Sequence, residues 1–178
     1  MLEVIVVVAL VLAIAIAAVL ILAATKPDTF SIRRAATIAA PPERLFSLIT
    51  DFHQWDGWSP WEHKDPEMKR TFSGSEKGKG AIYAWDGNNN VGSGQMEIVE
   101  ATTPSKVVIK LDFFRPFEAH NTAEFTMLPH GGATEVNWEM RGPLAFMHKL
   151  MHVFFNMEKM VGNDFEAGLA NLKMLAEA

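Results

Sequence analysis

From Val4 to Ala24 every position is Val, Ile, Leu or Ala; beyond it apolar and polar residues alternate with the periods of strands and helices. The run is 21 residues long, 14 of them Val, Ile or Leu, with no charge, Gly or Pro. As a helix it extends roughly 30 Å at about 1.5 Å per residue, the hydrocarbon thickness of a bilayer. Its β-branched residues weaken a helix in water, but in lipid the backbone must satisfy its own hydrogen bonds. The pattern predicts a transmembrane anchor at residues 1–25 and one folded domain at 26–178. A cleaved signal peptide is the rival reading, with a basic start, an apolar core of about 7–15 residues and a small-x-small site. Met1-Leu2-Glu3 is not basic, the core is too long, and Ala23-Ala24-Thr25 is a poor site.

After Lys26-Pro27-Asp28, Thr29 to Ala39 reads as a strand, stopped by Ala40-Pro41-Pro42-Glu43, which opens a helix. Leu45, Phe46, Leu48 and Ile49 give that helix an apolar face. Asp51 to Pro66 is turn-rich and holds three tryptophans. Strand signals follow at Met68–Phe72, Gly80–Trp85, Val91–Ala101, Lys106–Phe114, Phe117–Leu128 and Thr134–Arg141, joined by short Gly- or Pro-containing turns. Hairpin succession implies one antiparallel sheet. Leu144 to Glu177 reads as helix, opened by Gly142-Pro143 and broken near Asn156.

Alternation identifies the dry face. From Phe117 to Met127 the odd positions are Phe, Ala, Asn, Ala, Phe and Met, against Glu, His, Thr, Glu and Thr. In the next strand Val136, Trp138 and Met140 oppose Glu135, Asn137 and Glu139. A slip of one residue would expose every large side chain, so the register is well specified. Met157, Met160, Val161, Phe165, Leu169, Leu172 and Leu175 approximate a helical stripe, whose natural partner is that dry face. Gly162 and Gly168 in the same helix would leave space beside the sheet, and methionines adapt to variable shapes.

Charge and cysteine usage narrow the classes. The formal net charge is −5, and Glu3 is the only charged side chain before Lys26. A mildly acidic domain argues against nucleic acid, which selects clustered positive charge. Without cysteines there are no disulfides, thiolate nucleophiles or Cys-type zinc sites. Lys26, Arg33 and Arg34 follow the span, so the positive-inside rule places the domain in the cytoplasm.

Ala40-Pro41-Pro42-Glu43-Arg44-Leu45-Phe46 followed by Asp51-Phe52-His53-Gln54-Trp55 resembles the START/Bet v 1-like superfamily. It looks most like the polyketide cyclase/dehydrase and lipid-transport group called SRPBCC. Trp58-Ser59-Pro60-Trp61-Glu62, Gly92-Ser93-Gly94 before a strand, and the helix Met160-Val161-Gly162-Asn163-Asp164-Phe165-Glu166 support it. The resemblance covers about residues 29–175 and implies an α+β helix-grip fold. In that fold a curved seven-stranded antiparallel sheet grips a long C-terminal helix around a deep hydrophobic cavity. The superfamily spans carriers, receptors, cyclases, hydrolases and chaperone regulators, so fold alone selects no activity.

Candidate site residues follow from the dry face. Trp58, Trp61, Trp85 and Trp138 are read as lining a pocket or its mouth, with core packing as the alternative; Tyr83, Phe113 and Met160 join them. Asn121 sits on the dry face between Ala119 and Ala123, where an unpaired amide costs about 1–3 kcal/mol. It either has an internal partner or orients a ligand. Asp164, expected near the pocket edge, His152 and Glu62 are the candidates for acid–base work. Glu62 could meet His63 or Arg70, though a loop carboxylate is expected to be solvated. His148 and His152 are four apart, but Lys149 follows the first where a metalloprotease helix carries Glu, so no metal is expected. No cofactor is implied.

The leading expectation is a membrane-tethered domain that binds a small hydrophobic molecule or lipid without catalysis. A cyclase-, dehydratase- or hydrolase-like enzyme using the same cavity is the alternative. A third reading is a protein-interaction domain related to chaperone activators, which an exposed apolar patch outside the cavity would favour.

Overall fold

The computed structural model describes residues 1–178 apart from the side chain of His152, so the reading of His152 as an acid–base group or ligand lies outside the described residues. Helix α1 (Leu2–Ala24) contains the whole apolar run. Among the described residues it is the one helix long and apolar enough to cross a membrane. Seven strands follow: β1 (Thr29–Ile38), β2 (Lys69–Gly74), β3 (Ala81–Asp86), β4 (Ser93–Thr102), β5 (Lys106–Arg115), β6 (Ala119–His130) and β7 (Ala133–Pro143). They form one antiparallel sheet in the order β1-β7-β6-β5-β4-β3-β2. Helix α2 (Pro42–Thr50) and a 3₁₀ turn (Phe52–Gly57) separate β1 from β2, and α3 (Phe146–Phe154) and α4 (Met157–Glu177) close the chain. This is the expected helix-grip architecture. β7 runs two residues past Arg141, so the first tail helix begins at Phe146 and not at Leu144.

Local chemistry explains the boundaries. Pro42 starts α2, where its missing N–H costs no hydrogen bond. The Asp51 side chain accepts from the His53 amide at 3.0 Å and opens the 3₁₀ turn. The expected break at Asn156 separates α3 from α4, and the Asn156 carbonyl oxygen of the side chain accepts from the Lys159 amide at 2.9 Å. Gly92, at φ +64°, carries the turn into β4, where any Cβ would meet the Arg115 carbonyl oxygen at 2.2 Å.

The core is aromatic. Trp138 of β7 stacks on Phe165 of α4 with centroids 4.1 Å apart and planes 6° apart, and on Phe125 of β6 at 4.8 Å. Trp58 meets Trp138 and Phe125 edge-on at 5.6 and 6.1 Å, and Trp61 meets Trp138 and Phe165 at 5.7 and 6.0 Å. The room expected beside the small residues of α4 is therefore filled. A Cβ on Gly168 would lie 2.8 Å from the Trp138 ring, and one on Gly162 would lie 2.0 Å from the Arg34 guanidinium. Met160 is 56% exposed and leaves the stripe, because Gly162, Phe165, Gly168, Leu169 and Leu172 form the buried line one position round the helix.

Arg34 fixes that line. Its position opposite Trp138 puts it on the face toward α4, where its Nε donates to Glu166 at 2.6 Å and one terminal nitrogen to Glu158 at 2.9 Å. Arg33, pointing the other way, donates to the Asn137 side chain at 2.7 Å, which accounts for a buried amide on the wet face. With both arginines engaged, Lys26 alone carries the positive-inside argument.

On the wet face Asp112 accepts from Nδ1 of His120 at 2.7 Å and pairs with Lys110 at 2.8 Å. The hydrogen bond to Asp112 raises the His120 pKa above its ordinary value near 6.5. The contact therefore stabilises the fold fully below pH 6.5, and that contribution fades as pH rises through the higher folded-state pKa. NMR titration should place His120 above the ordinary value and Asp112→Asn should bring it back; an ordinary pKa in the unmodified chain would count against the contact.

Candidate functional site

Two regions hold the residues that sequence reasoning singled out, and they differ in what covers the sheet. At the end of the sheet nearest α2, the dry face is sealed: Ile109, Phe125 and Met127 are 0% exposed. Toward the opposite end, where β1 begins and β7 ends, Met96 and Met140 rise to 8% and Asn121 to 9%. Leu111, Phe113 and Ala119 there are only half-buried. α4 lies along β1 at one edge of the sheet, and α3 packs chiefly against α1. That thinly covered end is next to α1.

Its walls are apolar and aromatic. The Trp85 indole lies flat against Gly94, where an added Cβ would come within 2.5 Å of the ring. The Trp85 Nε1–H donates to the Val91 carbonyl at 3.0 Å, which holds the ring there. Phe113 meets Trp85 edge-on at 5.6 Å. Leu111 pairs with Met96 on one side and Asn121 on the other, which puts the amide among apolar neighbours. The Asn121 Oδ1 is buried without a hydrogen-bond partner, pressed against Gly142, where a Cβ would be 2.0 Å away. The Trp58 and Trp138 indole nitrogens are buried without partners as well. Such groups cost about 1–3 kcal/mol each, so this face has polar capacity that the chain itself does not use.

The second region is a cleft of about 510 Å³ at the sheet edge, open to solvent and bounded by Phe52, His53, Glu62, His63, Arg70 and Phe72 among others. Glu62, expected to be solvated, is 5% exposed. One of its oxygens accepts from the Tyr83 hydroxyl at 2.7 Å and the other from Arg70 Nε at 2.6 Å. Arg70 also donates to the Glu62 backbone carbonyl at 2.7 Å and to Met68. The reason for the burial is this three-residue network, which draws the loop onto β2 and β3. Burial, with Glu62 accepting its proton's hydrogen bond, pushes the Tyr83 hydroxyl strongly up in pKa and keeps it a neutral donor. Each Glu62 oxygen thus accepts one side-chain hydrogen bond.

The remaining candidates are dispersed. Trp58 is in the packed centre, 1% exposed, and forms no mouth. Trp61 is half-buried against Trp138 and Phe165, and Lys64 Nζ stands 5.7 Å over its ring. Asp164 is partly exposed and accepts from Lys64 Nζ at 2.7 Å, which fastens the tryptophan loop to α4. His148 Nδ1 is buried without a partner, beside the Phe117 ring at 6.3 Å. No group of three possible metal ligands occurs among the described residues. What sequence reasoning missed is the floor of the open end: Leu111, Met96, Met140 and Gly142. Their shared parity with Asn121 and Trp138 was the available signal.

Known structures share this architecture. A protein from Chromobacterium violaceum superposes with a TM-score of 0.58 at 14% identity, covering 85% of this chain and 99% of its own. The Aha1 dimer from Colwellia psychrerythraea superposes at 0.60 and 13% identity, covering 83% and 96%. The di-domain ARO/CYC BexL of the BE-7585A biosynthetic pathway superposes at 0.62 and 15% identity, covering 88% of this chain and 53% of that one. At these identities the likeness is one of fold. Nothing among curated proteins matches the chain. A family model described as polyketide cyclase / dehydrase and lipid transport matches residues 29–177. The chain belongs to that family.

Proposed function

We propose that residues 26–178 bind a small hydrophobic molecule or lipid at the thinly covered end of the dry face, and that residues 1–25 hold this end against a bilayer. The observation that carries the reading is the unpartnered Asn121 Oδ1, pressed against Gly142 on a strand whose cross-strand neighbour is Leu111. An apolar face with one unpartnered polar group suits a ligand that is mostly hydrocarbon with one donor, such as a hydroxyl or amide. Of the sequence candidates, Trp85, Phe113 and Asn121 stand at this end, whereas Tyr83 belongs to the Glu62 network, Trp58 and Trp138 to the packed centre, and Asp164 to the contact with Lys64. Lys26, the first charge after the span, favours the cytoplasmic side by the positive-inside rule.

The family also includes cyclases and dehydrases by its description, and an enzyme reading would look to the Glu62 cleft. Glu62 is 5% exposed and each of its oxygens accepts a hydrogen bond, from Tyr83 and from Arg70, so its geometry is that of a group tying the loop to β2 and β3. The binding reading is the better supported one.

The test is photolabelling of the full chain in vesicles that contain a diazirine-bearing fatty alcohol, with adducts mapped by mass spectrometry. Adducts are expected at Met96, Leu111 and Met140. Ala119→Trp should abolish them while leaving labelling of α1 unchanged. Asn121→Leu should lower dry-face labelling by about 5–10-fold, the loss of one hydrogen bond, while stability stays equal or rises, because the lost oxygen has no protein partner. Adducts confined to α1 in the unmodified chain would overturn the proposal.

A further inference from the structure

Helix α3 is built the wrong way round for water. Its lysine, Lys149, is 8% exposed and donates to Asp28, while Phe146, Met147 and Phe154 on the same helix are 49%, 54% and 65% exposed. An amphipathic helix on a water-soluble surface buries its apolar stripe and exposes its charges. This arrangement is stable only if the exposed stripe has an apolar medium to enter.

The placement of α3 says which medium. The only α1 side chains withdrawn from solvent are Val19 and Ala23, one turn apart, and α3 is the element packed against α1. Four residues correspond to about 6 Å of helix, so α3 lies beside the last turns of the span and not beyond them. Interfacial helices bury their apolar face about 5–10 Å into the boundary between headgroups and acyl chains, which is the same depth. Asp28 fixes the angle: its backbone carbonyl accepts from the Leu144 amide at 2.7 Å, and its carboxylate pairs with Lys149. The pairing with Lys149 holds the Asp28 carboxyl below its ordinary pKa, so the carboxylate is charged at neutral pH.

A second segment reaches the same level. The end of β5 exposes Phe114 at 55% and the β5–β6 connection exposes Phe117 at 45%, and Phe117 meets His148 of α3 edge-on at 6.3 Å. With Phe155 at the end of α3, this gathers most of the exposed phenylalanines outside the span into one patch around the foot of α1. The far end of the sheet, at the β6–β7 turn His130-Gly131-Gly132, carries none.

We infer that α3 and the Phe114–Phe117 connection form a membrane-contact surface that lies in the same bilayer leaflet into which α1 runs, so that the domain sits on the lipid and does not swing on a tether. The inference rests on the reading of α1 as a membrane span, and it deepens the proposed function: the groove at Asn121 would then open toward lipid. A protein partner could cover such a patch instead, but continuity with α1 and the buried lysine favour lipid.

The chain has no cysteine, so single nitroxide labels can be placed without removing any native residue of that type. Met147→Cys, Phe154→Cys and Phe117→Cys are each labelled in the full chain, reconstituted in phosphatidylcholine–phosphatidylglycerol nanodiscs. His130→Cys serves as the aqueous reference and Leu12→Cys as the reference within the span. Collision of each label with oxygen and with a water-soluble nickel chelate gives its immersion. The expected result is an oxygen-to-nickel ratio at Met147, Phe154 and Phe117 several-fold above that of His130 and below that of Leu12. Ratios equal to His130 with Leu12 immersed would overturn the contact surface while leaving the anchor intact. An aqueous Leu12 would overturn both. Dry-face photolabelling is read separately, so failure of the groove and failure of the contact surface are distinguishable.

Discussion

Trp138→Ala is expected to lower the unfolding free energy of the domain by about 3–5 kcal/mol, the range for removing a large buried aromatic side chain. Trp138 is 3% exposed and lies between Phe165 and Phe125, with Trp58 and Trp61 against its edges. Deleting the indole removes the one ring that α4, β6 and the tryptophan loop all touch, and rigid aromatic neighbours relax poorly into the space. Trp138→Phe keeps much of the stacking and discards an indole N–H that has no partner, so it should cost far less, about 1 kcal/mol. Urea titration of the full chain in nanodiscs, followed by tryptophan fluorescence and circular dichroism, measures both. A loss under 1 kcal/mol for Trp138→Ala would mean that α4 can settle onto the sheet without this ring, and that the packed centre is not what holds the grip closed.

The same ring shows what could be read from the chain. Trp138 and Phe125 fall on the dry face by parity alone, and the structure pairs them across β6 and β7 as the alternation requires. The Asn156 break, the hairpin order and the antiparallel sheet were legible for similar reasons: period and turn chemistry are local. Arg34 was also legible in principle, since it shares parity with Ile32 and Ile38, but a single charge among small residues gives no hint that Glu158 and Glu166 wait more than 120 residues away. That long-range clamp is why Gly162 is small, and why small residues in α4 mean close approach and not empty space. The apolar stripe read along the tail begins at Met157, so it assigns no face to α3. The break at Asn156 resets the phase, and α3 turns its phenyl rings outward to α1's surroundings instead of inward to the sheet. Arg70 is a partner the sequence offers for Glu62, but the burial of the carboxylate and its contact with Tyr83 are not legible there. Loops have no period, and a carboxylate that meets Tyr83 across 21 residues leaves no mark in either neighbourhood.

That carboxylate gives the second large effect. Glu62→Ala should destabilise the domain by about 3 kcal/mol, the low end of the range for breaking a buried charge pair, since Arg70 keeps 26% of its side chain in water. The loss has two parts: the Arg70 guanidinium forfeits its strongest acceptor, and the Tyr83 hydroxyl, 3% exposed as a residue, is left without one. Glu62→Gln tests the division, because its amide oxygen can still accept from one partner while the charge is gone; it should recover about 1 kcal/mol. If instead the charge pair only breaks even against its desolvation, as buried pairs often do, then Glu62→Met combined with Arg70→Met and Tyr83→Phe should restore most of the loss. Double-mutant cycles over these positions, read from urea midpoints at constant slope, separate the outcomes. Additive losses across the cycle would show that Glu62 packs the loop without being coupled to either partner, and the edge cleft would then owe its shape to the phenylalanine walls at Phe52 and Phe72 and not to the ion pair.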